Sequence, residues 1–300
     1  MTQQRQMFGG DWTEEKLDIL REYLRVYTTA LKKQPFELIY IDAFAGTGYR
    51  ELKAEGAEGA LLFPELVKQE SIEYVEGSAR IALKVQQPFH RYIFIEKDEQ
   101  HFKELGRLKQ EFPDLSERIE LVNEDCNTYL QRYCRSSGWG RRRGVLFLDP
   151  FGMQVEWATL EAIAATKTLD VWVLFPLSAV NRLLVKDGVI PIGWQTRLDA
   201  LFGSAGWRDK FYEIRRPTPL FSEVRRPKKR ATWDSITDYY LERLKSVFPG
   251  VHDNPRKLPK KGRPLFLFCF VMCNPKRTAM DLALKIARGI LEKKQSGRTI

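Results

Sequence analysis

Four apolar runs in the first half of the chain each deliver a carboxylate at their C-terminal end. Leu38-Ile39-Tyr40-Ile41 precedes Asp42, Arg91-Tyr92-Ile93-Phe94-Ile95 precedes Glu96, Ile119-Glu120-Leu121-Val122 precedes Glu124-Asp125, and Gly144-Val145-Leu146-Phe147-Leu148 precedes Asp149. Runs this short, rich in β-branched and aromatic residues, read as strands buried on both faces. Helical patterns lie between them, which predicts a parallel sheet with right-handed crossovers and helices on both faces. All four carboxylates then share one sheet edge, the edge at which open α/β sheets take their ligands. A fifth strand is predicted over 171–175 and a last one over 265–273, between Pro264 and Asn274-Pro275.

The turn after the first strand carries Phe44 and then Gly46-Thr47-Gly48. Glycine permits a positive φ and a close approach of backbone to ligand. Residues 49–59 read as a loop able to fold over a ligand, followed by a short helix over 60–67 and another from Ser78. This extra material makes the interval from the glycines to Glu96 longer than the roughly 20 residues of a dinucleotide-binding fingerprint. Pro150 lacks an N–H and stiffens the turn after Asp149, presenting its carbonyl at a fixed place. A helix over 12–31 precedes the first strand, and Lys16, one turn into it, reads as solvated. Asp125 has two readings, an acceptor for an adenine amino group or an N-cap for the helix that follows.

The formal net charge of the 300 residues is +10. A balance of this sign favours a polyanionic partner. The basic residues gather in clusters: Arg141-Arg142-Arg143, Arg215-Arg216, Arg225-Arg226 with Lys228-Lys229-Arg230, and 257–263. Solvated surface is the plain alternative for any one of them. Aromatic residues interleave with the later clusters, which points to nucleic acid, with Arg141, Arg142, Arg143, Arg225, Arg226, Lys228, Lys229 and Arg230 as the candidate contacts. No apolar run is long enough to cross a bilayer, and the N-terminus has no apolar signal region. The four cysteines form no Cys-x-x-Cys pair, so no metal site is expected and a reducing cytoplasm fits. Expected boundaries are an N-terminal helical segment over 1–34, a cofactor-binding core over 35–178, a basic helical insertion over 179–263 for substrate, and a strand and helix over 264–300 completing the core.

Phosphate binders place lysine and a helix N-terminus where this chain places acids, and no Gly-x-x-x-x-Gly-Lys-[Ser/Thr] is present. Acidic strand ends suit an adenosyl ligand that lacks phosphates and carries a positive sulfonium, S-adenosylmethionine. On this reading Asp42, Phe44, Gly46 and Gly48 face its amino-acid part, Glu96 its ribose and Asp125 its adenine.

The pattern resembles class I methyltransferases, and more closely the bacterial three-Cys-motif partner protein family. The resemblance covers nearly the whole chain. It rests on Trp12-Thr13 with Lys16 and Tyr23-Leu24, Ile41-Asp42-Ala43-Phe44-Ala45-Gly46-Thr47-Gly48, Gly77-Ser78 with Ala82-Leu83, Phe94-Ile95-Glu96, Leu148-Asp149-Pro150-Phe151-Gly152 and the helix after Asn274-Pro275. The resemblance implies a Rossmann-like class I methyltransferase sheet with a basic helical C-terminal elaboration. It also implies a genetic partner carrying three cysteines; this chain's own four do not form that motif. Asp149-Pro150-Phe151-Gly152 further resembles the Asp/Asn-Pro-Pro-Tyr/Phe motif of enzymes that methylate base amino groups. Phe151 stands in place of the second proline and Gly152 in place of the aromatic. The implied roles are amine holding for Asp149 and Pro150, and base stacking for Phe151. Three functions remain open: a methyltransferase acting on a nucleic-acid base, a nucleic-acid-binding partner subunit without chemistry, and a nuclease holding magnesium on Asp42, Glu96, Asp125 and Asp149.

Overall fold

The computed structural model of the chain describes residues 11–47, 77–213, 227–260 and 262–295. Gly48, the 49–59 loop, the helix expected over 60–67, Arg215-Arg216 and Arg225-Arg226 lie outside the described residues. The first helix, α1 (Asp11–Leu31), turns Leu17, Leu20, Leu24 and Tyr27 onto one buried face, as their spacing requires. The strand β1 (Glu37–Asp42) follows, then α2 (Ser78–Leu83), β2 (Arg91–Ile95), α3 (Glu99–Leu105) and α4 (Leu108–Glu111). Gly106 and Arg107 separate α3 from α4. Next come β3 (Ile119–Val122), α5 (Cys126–Cys134), β4 (Arg142–Leu148), α6 (Trp157–Ala165), which no sequence pattern marks, and β5 (Leu169–Phe175).

The second half supplies α7 (Leu177–Leu183), α8 (Ile192–Phe202), α9 (Trp207–Phe211) and a two-stranded ribbon of β6 (Tyr212–Glu213) with β7 (Lys228–Lys229). Then follow α10 (Trp233–Lys245), β8 (Gly250–Val251), β9 (Arg256–Lys260), β10 (Arg263–Met272) and α11 (Arg277–Gln295). Helix α10 opens with a reciprocal cap between Thr232 and Ser235.

The sheet order is β3-β2-β1-β4-β5-β10-β8, with β9 pairing β10 at one end. The five strands β1 to β5 are parallel, and β10 lies antiparallel to β5. This is a doubly wound, Rossmann-like α/β sheet. Its order reverses between β1 and β4, which opens a crevice at their C-terminal ends. Residues along each strand alternate between two cores: Ile39, Ile41, Leu146 and Leu148 belong to one, and Leu38, Tyr40, Val145 and Phe147 to the other. Burial on both faces explains why the runs are continuously apolar rather than alternating.

Helices α1, α2 and α11 cover one face, and α5 to α10 the other. The basic elaboration therefore rests on the sheet's own core: Trp207, Phe211, Ile236 and Tyr240 are buried with Val173 and Phe175. The sheet also takes in residues 250–251 and 256–260, ahead of the resumption expected at 264. All four cysteines are buried. Among the described residues no helix is long and apolar enough to cross a membrane.

Candidate functional site

The turn after β1 is tied to both neighbouring strands. Ala43 N–H donates to the Phe147 carbonyl at 3.0 Å on the β4 side, and Ala45 N–H to the Ile95 carbonyl at 3.0 Å on the β2 side. Gly46 N–H then donates to Glu96 Oε2 at 2.9 Å. Gly46 has φ +59, and a Cβ there would meet nothing within 4 Å, so the glycine serves backbone conformation rather than space. Glu96 is half-buried, and its Oε1 accepts from Asp98 N–H at 2.7 Å. A carboxylate offers about four lone-pair directions, so two remain for an outside donor. Asn123 binds the Glu96 and Lys97 carbonyls through Nδ2 at 2.8 and 3.1 Å, a brace between β2 and β3 that carries no local sequence signal.

Asp42 is fully buried, so the expectation that its carboxylate meets a ligand directly does not match its placement. It accepts from the Tyr40 hydroxyl at 3.3 Å and from Phe44 N–H at 3.4 Å, and the Ser78 hydroxyl donates to it as well. Its role here is to hold the turn that carries Phe44 and Gly46. Burial pushes its pKa up to about 7, with Asp149 adding to the rise and the Ser78, Phe44 and Tyr40 hydrogen bonds opposing it.

Asp149 emerges at the end of β4 beside this turn, across the point where the sheet order reverses. Both of its oxygens accept from Lys16 Nζ, at 2.7 and 2.5 Å. The expectation of a solvated Lys16 is not met: its side chain is 2% exposed and that of Asp149 18%. The lysine also lies over the Trp12 ring at 4.9 Å. A buried ammonium needs such a counter-charge, and α1 brings it from 133 residues away in sequence.

Pro150 is buried behind Asp149, Gly152 takes φ +76, and Phe151 projects from the turn with 65% of its surface exposed. Phe151 N–H donates to Gln154 Oε1 at 3.0 Å, and Asn127 Nδ2 donates to the Gln154 carbonyl at 2.8 Å. Asn127 Oδ1 accepts from Glu156 N–H and the Thr159 hydroxyl. Gln154 and Asn127 thus fix the turn that presents Phe151. No spacing in the sequence marks them, because their roles depend on contacts between α5 and the loop before α6.

Asp125 caps α5, with Oδ1 accepting from Asn127 and Thr128 N–H at 3.0 and 3.3 Å. Its other oxygen stands 3.7 Å from Lys97 and borders a shallow depression lined by Thr128, Gln131 and Arg135. The capping reading is met, and one oxygen remains turned to the outside. A small apolar hollow under the Asp149 turn is lined by Pro150, Gly152, Phe175, Pro176 and Tyr240. Among the described residues no three acidic, histidine or cysteine side chains converge to hold a metal ion.

The basic clusters divide. Arg141, Arg142 and Arg143 lie at the N-terminal end of β4, opposite the edge that carries Asp149. Arg142 pairs with Glu37 at 3.0 Å, and Arg143 covers the Phe36 ring at 4.1 Å. They do not join the crevice. Lys229 donates to the Asn181 carbonyl and Oδ1 at 2.8 and 2.9 Å, and Arg230 to the Lys210 and Asp209 carbonyls at 2.8 Å. These bonds fasten β7 to α7 and α9, while Lys228 is exposed. Helix α7 leaves the C-terminal end of β5, so this ribbon flanks the crevice side of the sheet.

No protein-family model matches the chain, and no curated protein matches it in sequence. Solved structures similar to it include a Legionella pneumophila protein, LPL1258, of family DUF519, at 15% identity and TM-score 0.48, with 93% of this chain and 91% of that one covered. Human methyltransferase-like protein 13 in complex with SAH is 15% identical with TM-score 0.38, and 93% and 92% of the two chains are covered. The methyltransferase domain of bacterial CtHen1-C is 11% identical with TM-score 0.37, covering 85% of this chain and 98% of that one.

Proposed function

We propose that the crevice between β1 and β4 binds S-adenosylmethionine and that the chain transfers its methyl group to an amino nitrogen of a nucleic-acid base. The observation that carries this reading is the meeting, at the point where the sheet order reverses, of a left-handed glycine turn, a half-buried Glu96 with free lone pairs, and Asp149 followed by an exposed Phe151. The cofactor supplies an electrophilic methyl on a sulfonium. Glu96 fits its ribose hydroxyls, the 43–47 turn its amino-acid part, and the outward oxygen of Asp125 its adenine amino group. Asp149 and the Pro150 carbonyl accept hydrogen bonds from the target amine, which leaves the nitrogen lone pair directed away from them. Phe151 stacks on the base. Positioning and exclusion of water make up most of such catalysis. A base inside a duplex has to be flipped out to reach this site.

A second reading, a nucleic-acid-binding partner subunit without chemistry, is favoured by the Lys16 ammonium on both oxygens of Asp149. The resemblance to three-Cys-motif partner proteins adds a proposed partner, a protein carrying three clustered cysteines. Incubation with radiolabelled S-adenosylmethionine and separated cellular DNA, RNA and protein tests both. Label in a nucleic-acid pool, lost in Asp149→Ala, supports methyl transfer. Cofactor heat by calorimetry with no label in any pool supports the silent subunit. No heat and no label overturns the cofactor assignment.

A further inference from the structure

The N-terminal edge of the sheet, opposite the crevice, carries its own run of positive charge. Exposed Lys32 and Lys33 follow α1 just ahead of β1, Arg141 precedes β4, Lys167 precedes β5, and Lys276 and Arg277 follow β10, whose end pairs with the start of β5. The acids nearest this rim are spoken for. Glu37 is paired with Arg142, Glu120 with Arg91 and Asp281 with Arg277 itself at 3.9 Å, so that arginine is partly neutralised, and buried Asp170 accepts from the Tyr23 hydroxyl at 2.6 Å. Glu117 and Asp114 lie only towards its β3 end. Neighbouring strands stand about 4.8 Å apart, so β1, β4, β5 and β10 spread the charges over about 14 Å. The seven residues of β4 separate this rim from Asp149 by about 20 Å at 3.3 Å per step. One nucleotide cannot touch both.

We propose that this rim is a second docking surface, and that its occupant is the phosphate backbone of double-helical nucleic acid. The proposal stands apart from the methyl-transfer reading, since it rests on the far edge alone. Single strands are held by aromatic platforms as well as charge, and among the described residues this rim offers none: Phe36 lies beneath Arg143 and Trp139 is buried. An anionic membrane calls for apolar anchors beside the charge. Among the described residues the exposed large apolar side chains are Phe151, Val189, Ile192 and Leu282, and of these only Leu282, on the flank of α11, comes near this edge. Lysines and arginines alone, set along a rim, suit contacts that fix a duplex without reading its sequence.

The test compares the full chain with the quadruple variant Lys32→Ser, Lys33→Ser, Arg141→Ser and Lys167→Ser. Each is titrated into a labelled RNA or DNA duplex about two helical turns long, over a range of salt. Removing one phosphate-binding cation flattens the slope of log K against log salt by about 0.9. The expected result is at least about tenfold weaker binding at low salt, with a slope flatter by about 3.6. Equal affinity and equal slope overturn the proposal. So does binding of both proteins to the duplex alike when only the wild type binds vesicles of phosphatidylserine and phosphatidylcholine, which assigns the rim to a membrane. The charge-reversal variant Lys276→Glu with Arg277→Glu repeats the measurement on the β10 side. Calorimetry with S-adenosylmethionine on the same proteins separates the two readings, because absent heat refutes the cofactor site and leaves the duplex result standing.

Discussion

Replacing Asp42 with asparagine stabilises the fold at alkaline pH. Asp42 has no exposed surface, and burial lifts its pKa from 3.8 to about 7. Between those values the folded chain holds a proton that the unfolded chain has released. Stability contributed by the protonated form is therefore complete below about pH 4 and is lost as pH rises through 7. A rise of about three units at 1.4 kcal/mol each makes the loss about 4 kcal/mol by pH 8. Asparagine does not titrate and escapes that loss. It keeps one acceptor where the Tyr40 hydroxyl, Phe44 N–H and Ser78 hydroxyl all donate. One of these must turn or go unmet, which costs about 1–2 kcal/mol. Asp42→Asn is accordingly more stable than wild type by about 2 kcal/mol at pH 8, and the advantage disappears towards pH 5. Urea unfolding followed by circular dichroism and tryptophan fluorescence, from about pH 5 to 8, gives the difference directly. Parallel pH profiles for the two proteins refute the argument, as does a variant less stable than wild type at pH 8.

Lys16→Met removes the counter-charge of a largely buried carboxylate and lowers stability by about 3 kcal/mol at neutral pH. Adding Asp149→Asn to it restores more than half of that, as read by the same unfolding curves. Phe151→Ala leaves the melting temperature within about a degree, since the ring is 65% exposed; under the proposed function it weakens acceptor binding about tenfold, the scale of one base stack. Gly144→Ala puts a Cβ 2.6 Å from the Ile39 carbonyl oxygen and 2.9 Å from Leu169 Cδ2, forcing β1 from β4 at a cost of about 3 kcal/mol. Unchanged thermal unfolding of that variant contradicts the β1–β4 register.

The sheet is legible in the sequence because a strand buried on both faces has to be apolar throughout, and a strand end facing the crevice has to stop being so. That contrast marks β1, β2, β4 and β5 within two residues of their ends. Helix α6 escapes it, since nearly every residue of 157–165 is apolar or buried and no polar face marks its period. β8 and β9 escape it as well: β8 has two residues, and β9, Arg-Lys-Leu-Pro-Lys, buries Leu258 alone of its five side chains. Long-range pairs are the least legible. Lys16 carries no local sign that it leaves solvent, and its burial follows only once α1 is docked on the sheet with Asp149 beneath it.

The placement of the arginines follows from a rule that the sequence does contain. In a parallel sheet, whatever precedes a strand and whatever follows it lie on opposite rims. Asp42, Glu96, Asp125 and Asp149 follow their strands; Lys32, Lys33, Arg141 and Lys167 precede theirs. Taken as clusters along the chain, Arg141 to Arg143 stand only a few residues from Asp149. Taken by their side of β4, they are separated by the full length of the strand. Net charge hides this division, because +10 is a sum over both rims. Among the described residues the strand-end acids and these strand-preceding lysines and arginine lie on opposite rims, and under the duplex-docking proposal a polyanion held by the basic rim sits on the side away from Asp149. Under the proposed function, a nucleic-acid substrate of the crevice is steered by the α7–β7 flank, where Lys186 and Lys228 are exposed, and neutralising those two lysines lowers the rate of substrate association at low salt while charge removal on the far rim leaves the crevice's own encounter unchanged.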